Sequence, residues 1–124
     1  MSYGKVHAFN NYLRRWQQYG MRAQRTGQLA SEANIFEAGQ SRAAVKFDTP
    51  GSGWNDPHTR FDKRPGYVRS VGDWKINRAQ IKTNEPGRVF EPGKFYPYQA
   101  EPTDEILRSK VSRWAGWQPP TAGQ

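Results

Sequence analysis

The chain has 124 residues, a formal charge of +8 at neutral pH and no cysteine. Leu, Ile, Val and Phe contribute only about 15% of the residues, which is below the ~20% typical of chains that fold around a core of their own. The absence of cysteine excludes a disulfide framework, a thiolate metal site and a cysteine nucleophile. No apolar run approaches the ~20 residues that a membrane-spanning helix needs. With five Trp, six Tyr and six Phe, the chain is too aromatic for a purely solvating tail.

Residues 1–47 favour a helical segment, because proline is absent and apolar residues recur near helical spacing. Phe9, Leu13, Trp16 and Ala23 form the predicted stripe. A second short helix is predicted to begin at Ser31, a good N-cap, and to end at Gly39.

Residues 48–102 change character and predict an extended ribbon, since most of the prolines lie here. Each Pro-Gly pair is typical of a type II turn, in which Pro presets the first central φ and Gly accepts a positive φ at the second. The sequence Glu85-Pro86-Gly87-Arg88-Val89-Phe90 is followed directly by Glu91-Pro92-Gly93-Lys94-Phe95-Tyr96. This tandem repeat indicates either stepwise contact with a partner surface or a passive linker.

Residues 103–124 predict one short helix and a tail. Thr103 is the expected N-cap, and Asp104 and Glu105 suit the positive first turn. Leu107, Val111 and Trp114 follow at helical spacing. A helix of ~12 residues is marginal alone in water, so its apolar stripe is expected to dock.

The sequence offers no catalytic constellation, and no enzyme activity, cofactor or metal is expected. His7 and His58 are the only imidazoles. Asp56 precedes Pro57-His58, and a hydrogen bond within a turn explains that pairing more simply than a catalytic or metal site. Most carboxylates precede a proline, a glycine or a helix start, where turns and caps account for them.

The excess of basic over acidic residues indicates an acidic partner. Arg outnumbers Lys by 12 to 7, and Arg, Trp and Tyr are enriched at hot spots of protein–protein interfaces. No basic run exceeds two residues, so nucleic acid is the weaker candidate. A membrane span is not expected.

Four stretches of the sequence resemble small microtubule inner proteins of ciliary doublet microtubules. They are Gly53-Trp54-Asn55-Asp56-Pro57, Arg64-Pro65-Gly66-Tyr67, the tandem Glu-Pro-Gly repeat, and Arg113-Trp114-Ala115-Gly116-Trp117. The resemblance implies a basic chain that threads along tubulin with aromatic, Pro-Gly and Arg pieces. Accessory subunits of mitochondrial ribosomes and respiratory complexes share this composition.

The sequence interpretation is therefore a mostly irregular, extended chain with a helical N-terminal third, a short C-terminal helix and no independent globular core. Its predicted function is structural and non-enzymatic, along an acidic protein assembly, with tubulin as the first choice and the mitochondrial assemblies as the alternative. The expected location is the cytoplasm and ciliary axoneme, or alternatively the mitochondrion, since residues 10–25 carry four Arg and no acid. The predicted partner-binding residues are Trp16, Trp54, Phe61, Arg64, Tyr67, Trp74, Arg88, Phe90, Lys94, Phe95, Tyr96, Trp114 and Trp117.

Overall fold

Nine short strands wind through three successive coils, in a computed structural model that describes residues 1–48 and 64–114. Coil 1 holds β1 (Lys5–Phe9), β2 (Tyr12–Arg14) and β3 (Met21–Ala23); coil 2 holds β4 (Gln28–Glu32), β5 (Ile35–Glu37) and β6 (Ala43–Phe47); coil 3 holds β7 (Tyr67–Val71), β8 (Trp74–Ile76) and β9 (Gln80–Ile81). Equivalent strands of successive coils pair in parallel, which gives sheet 1 (β1-β4-β7), sheet 2 (β2-β5-β8) and sheet 3 (β3-β6-β9). The architecture is a parallel β-helix.

The core lies inside the coils, where aligned strands stack side chains of similar kind. The register of sheet 1 aligns Val6 with Leu29 and Leu29 with Val68, and the last two are fully buried. Small residues complete the core, including Ala23, Ala38, Ala44 and Ala79. The expectation that the chain has no core of its own is therefore wrong. A composition rule that counts only large apolar residues misses the alanines, which are six of the fourteen buried apolar residues in the described chain.

A polar ladder runs along the turn between the first and second strands of each coil. The first turn residue adopts a positive φ in every coil: 56° at Asn10, 52° at Ala33 and 66° at Gly72. The next residue is Asn11, Asn34 or Asp73. The Asn34 side chain accepts hydrogen bonds from the Asn11 backbone and amide (3.0 and 3.1 Å), and Asp73 accepts one from the Asn34 backbone N–H (2.8 Å). The ladder fixes how the three coils stack.

The prediction of a helical segment over residues 1–47 is wrong, since this range holds six strands. The apparent helical stripe arises because a chain crossing three sheets in turn places Phe9, Leu13 and Ala23 on three different sheets. Ser31 is a buried residue of β4 rather than an N-cap, and Gly39 does not have a positive φ.

The predicted ribbon over residues 48–102 is wrong as well, because this range contains all of coil 3. The tandem repeat forms two short 3-10 turns, Pro86–Arg88 and Pro92–Lys94. Neither Gly87 nor Gly93 has a positive φ, so these are not type II turns.

The segment 85–104, here called the strap, covers the outer face of sheet 1. Arg69 donates hydrogen bonds to the carbonyl oxygens of Val89 and Phe90 (2.9 and 2.7 Å). Tyr98 donates to Glu32 Oε1 at 2.6 Å, and this hydrogen bond raises the pKa of the tyrosine. Val89 is buried against Ala30 and Tyr67.

Helix α1 (Glu105–Trp114) follows the strap and packs on sheet 2. Asp104, rather than Thr103, caps it by accepting a hydrogen bond from the Leu107 backbone N–H at 2.8 Å. Arg108 and the Tyr12 hydroxyl each donate to Glu37 Oε1 at 2.6 Å. The Tyr12 hydrogen bond, more than the Arg108 one, lowers the pKa of Glu37. Nowhere in the described chain does a helix have the length and apolarity to span a membrane.

Candidate functional site

The predicted partner-binding residues are distributed over several parts of the molecule, and some of them serve its internal packing. Tyr67 is buried, with the Arg88 guanidinium 5.3 Å from its ring centre. Trp74 lies on sheet 2 beside Arg108, and the ring of Trp16 meets that of Phe36 edge to face at 6.3 Å. These contacts give each of these residues a role in packing within the chain. Their binding to a partner stays a prediction.

The remaining predicted residues lie at the surface or outside the described part. Phe90 is a half-buried residue of the strap, whereas Phe95 and Tyr96 are 64% and 40% exposed. Arg64 is exposed, and Lys94 forms an exposed ion pair with Glu91 at 3.4 Å. Trp54, Phe61, Trp117 and the side chain of Trp114 lie outside the described residues, as does the Asp56-Pro57-His58 motif.

Sheet 3 differs from the other two sheets, since no described segment covers its outer face. Its outward row carries Arg22 and Lys46, which are paired in register, and Lys82 continues the row because its backbone N–H donates to Val45 at 3.0 Å. Tyr19 stands between the first two cations, with its ring centre 5.9 Å from the Arg22 guanidinium and 5.0 Å from Lys46 Nζ. An aromatic ring is thus held at the centre of a cationic row.

Three arginines extend this positive surface along the neighbouring turns. Arg15, Arg42 and Arg78 lie in the turns between the second and third strands of coils 1, 2 and 3, and all three are exposed. The turns stack through hydrogen bonds, among them Ser41 Oγ to the Gln18 carbonyl at 2.7 Å and Asn77 Nδ2 to the Ala38 carbonyl at 2.7 Å. We call the surface formed by Arg15, Arg22, Arg42, Lys46, Arg78 and Lys82 the cationic face.

The cationic face carries a single carboxylate among the described residues of sheet 3 and these turns. Asp48 is buried and receives two hydrogen bonds from Arg22, at 2.6 and 2.5 Å. This pairing raises the pKa of Arg22 and fixes its guanidinium beside Tyr19. The other five cations form no ion pair within the described chain. Their charge is available to an external anion.

Sequence reasoning missed this face because its residues are far apart in the chain. Arg22 pairs with Lys46, 24 residues further along, and Lys82 continues that row 36 residues further still. The signal that reveals the coils is the recurrence of Gly4-Lys5-Val6, Gly27-Gln28-Leu29 and Gly66-Tyr67-Val68 at the start of each first strand. The second interval is longer because it includes residues 49–63, so the recurrence is uneven.

Within residues 1–48 and 64–114, no three His, Asp or Glu side chains gather in an arrangement suited to a metal ion. The polar groups that the cationic face offers are therefore its cations, Tyr19 and the side-chain amides of the nearby turns. Such a surface suits a ligand that carries carboxylates and hydroxyls.

Comparison with known proteins gives one family match. The family model described as pectate lyase matches residues 1–119. No curated protein and no solved structure matches the chain at a significant level. The match overturns the resemblance to microtubule inner proteins and the structural role in cilia that followed from it. It also overturns the expectation of a non-enzymatic chain, since the family is one of polysaccharide lyases. The chain belongs to the pectate lyase family.

Proposed function

We propose that this chain acts on an acidic polysaccharide of the pectate class and binds it along the cationic face. The observation that carries the proposal is the charge distribution of that face, which has six cations, two of them beside the Tyr19 ring, and Asp48 as its one described carboxylate. Pectate is a polymer of galacturonate, so it presents one carboxylate on every sugar unit.

The spacing of the cations supports a polymeric ligand. Neighbouring strands of a sheet lie ~4.8 Å apart, so Arg22, Lys46 and Lys82 form a row with a regular short step. A row of this kind pairs with successive carboxylates better than with a single isolated charge. The Tyr19 ring adds an apolar surface on which the C–H face of a sugar packs, beside cations that are already fixed against it.

The same charges suit the elimination that the family name implies. In that reaction a base removes the proton on the carbon next to the carboxylate, the glycosidic C–O bond breaks, a C=C bond forms, and the oxygen of the departing sugar takes up a proton. Negative charge accumulates on the carboxylate of the reacting sugar as the neighbouring carbon loses its proton. Cations held in place before reaction stabilise this charge without reorganising, and Lys46 is such a cation, unpaired within the described chain and placed 5.0 Å from the Tyr19 ring centre.

The test measures the affinity for polygalacturonate by titration calorimetry. Lys46→Gln combined with Lys82→Gln removes two unpaired cations from the face, and we expect at least a tenfold loss of affinity, equivalent to ~1.4 kcal/mol. Lys94→Gln combined with Lys110→Gln is the matched control, because it removes the same charge from residues paired with Glu91 and Glu101 elsewhere.

A fully methyl-esterified pectin serves as the ligand control, since it keeps the sugar chain and lacks the charge. We expect it to bind at least tenfold more weakly, and we expect polygalacturonate affinity to fall as salt screens the face. Equal losses in the two double variants would contradict the proposal, and so would equal affinity for the esterified polymer.

A further inference from the structure

The two ends of the stack of coils differ in how they are covered. β1, β2 and β3 form one end, because each lies at the edge of its sheet, and β7, β8 and β9 form the other. We call the side of β1, β2 and β3 that faces away from coil 2 the coil 1 edge. An edge strand presents a row of backbone N–H and C=O groups to any strand that approaches it.

The coil 3 end is closed in two ways. Asn84 covers β7, since its Oδ1 accepts a hydrogen bond from the Val68 N–H at 3.0 Å and its own backbone N–H donates to the Val68 carbonyl at 3.2 Å. In sheet 2, the exposed Lys75 takes the register position of the buried Phe36. A charge at the end of an apolar row disfavours the addition of another strand there.

The coil 1 edge is open in the described chain. Val6 is 40% exposed, although its register partner Leu29 is 1% exposed. Leu13 is half-buried, whereas its register partner Phe36 is fully buried. Among the described residues, no strand pairs with this side of β1, β2 or β3. The apolar interior of the coils therefore reaches the surface at this end.

The cations in the strands of coil 1 are engaged on the outer faces of the sheets. Lys5 Nζ lies 5.4 Å from the centre of the Phe95 ring in the strap. Arg14 and Arg22 form ion pairs with carboxylates of coil 2. Two coil 1 edges can therefore approach each other without burying an unpaired strand cation.

We propose that the coil 1 edge binds the coil 1 edge of a second copy of this chain, with the two β1 strands paired antiparallel about a two-fold axis at His7. This register uses all five residues of β1 and places Val6 of each copy opposite Ala8 of the other. The two open interiors then cover each other. A two-fold contact uses the same surface on both copies and closes the assembly at a dimer. The inference goes beyond the proposed function and does not depend on it.

The experiment measures the mass of the full chain by sedimentation equilibrium over about a hundredfold range of concentration. We expect the mass to rise from 14.3 kDa to twice that value and then to stay constant, at low and at high salt alike, since the contact is apolar. Val6→Lys places a charge in the open interior and should raise the dimer dissociation constant at least tenfold. Val71→Lys is the matched control, because Val71 is a 53% exposed valine of the same sheet in coil 3, and it should change the constant less than twofold.

Amide hydrogen exchange of the unsubstituted chain locates the contact, and it decides the question if Val6→Lys does not fold. Amides of β1 should exchange at least tenfold more slowly when the chain is dimeric, while those of β8 stay unchanged. A mass that stays at 14.3 kDa, equal effects of the two lysine variants, or equal protection of β1 and β8 would each overturn the inference. Masses that rise beyond the dimer would overturn it as well, because they indicate that coil 1 stacks on coil 3.

Discussion

Replacing Asn34 by alanine tests whether the polar ladder holds the coils together. Asn34 is fully buried. Its Nδ2 donates to the Ala8 carbonyl at 2.8 Å and to Ser31 Oγ at 3.0 Å, and its Oδ1 accepts from the Asn11 backbone N–H at 3.0 Å and from the Asn11 amide at 3.1 Å. A single side chain thus joins coil 1 to coil 2 through three hydrogen bonds and makes a fourth to Ser31 within its own coil.

The expected loss of stability depends on the hydrogen-bonding groups that lose Asn34 as a partner. Ser31 keeps its hydrogen bond to Asp73, and the exposed Asn11 amide regains water. The Ala8 carbonyl and the Asn11 backbone N–H lose their partner at a half-buried and an exposed residue. A buried unsatisfied group costs ~1–3 kcal/mol, so two groups in this partly exposed setting should lower the free energy of unfolding by about 2–3 kcal/mol. That is a large share of the ~5–15 kcal/mol typical of a folded domain.

The assay is urea denaturation followed by circular dichroism and tryptophan fluorescence. With an m-value of ~1–3 kcal/mol/M, the midpoint should fall by about 1 M or more. Asn84→Ala is the matched comparison, because Asn84 is half-buried and makes two hydrogen bonds, to the Val68 N–H (3.0 Å) and the Gly66 carbonyl (2.8 Å). A loss at Asn34 below ~1 kcal/mol, or one no larger than the loss at Asn84, would refute the reasoning.

Two further predictions concern the sheet 2 ion pair and the glycines. The lowered pKa of Glu37 means that its contribution to stability is present above its ordinary pKa of 4.5 and is lost as the pH falls through the lower folded-state value. Glu37→Gln should therefore flatten the dependence of the unfolding free energy on pH below about pH 4.5, and an unchanged slope in this variant would count against the Tyr12–Glu37–Arg108 arrangement. Gly66→Ala should destabilise the chain by more than ~2 kcal/mol, because its Cβ would lie 2.1 Å from the backbone carbon of Ala23. Gly87→Ala should be neutral or stabilising by up to ~1 kcal/mol, since nothing lies within 4 Å of its Cβ and its φ is not positive. Urea midpoints measure both variants, and similar losses at Gly66 and Gly87 would contradict the packing described for coil 3.

Short-range sequence patterns predicted some features of the structure. They could not predict how the chain is arranged in coils. The cap residues around Asp104 marked the start of a helix, because capping depends on a few neighbouring residues. The strands have two to five residues, so each shows too little alternation to identify it. Ser31 and Asn34 look like surface or cap residues, and only the stacking of three coils gives them buried partners.

The cationic face illustrates the same limit at the level of function. Arg22 and Lys82 are separated by about half of the chain, yet the parallel register of sheet 3 places them in one row with Lys46. The sequence showed the positive charge, from which an acidic partner is predicted. The chemistry proposed for that partner rests on the three sheets, the cationic row on one of them and the family match.

Amide chemical-shift mapping with an oligogalacturonate tests the central claim most directly. We expect the shifted resonances to cluster on Tyr19, Lys46, Lys82 and the turns that carry Arg15, Arg42 and Arg78. Amides of the strap, including those near the exposed ring of Phe95, should stay unchanged. Shifts confined to the strap or to helix α1, or no shifts at saturating oligogalacturonate, would contradict the account.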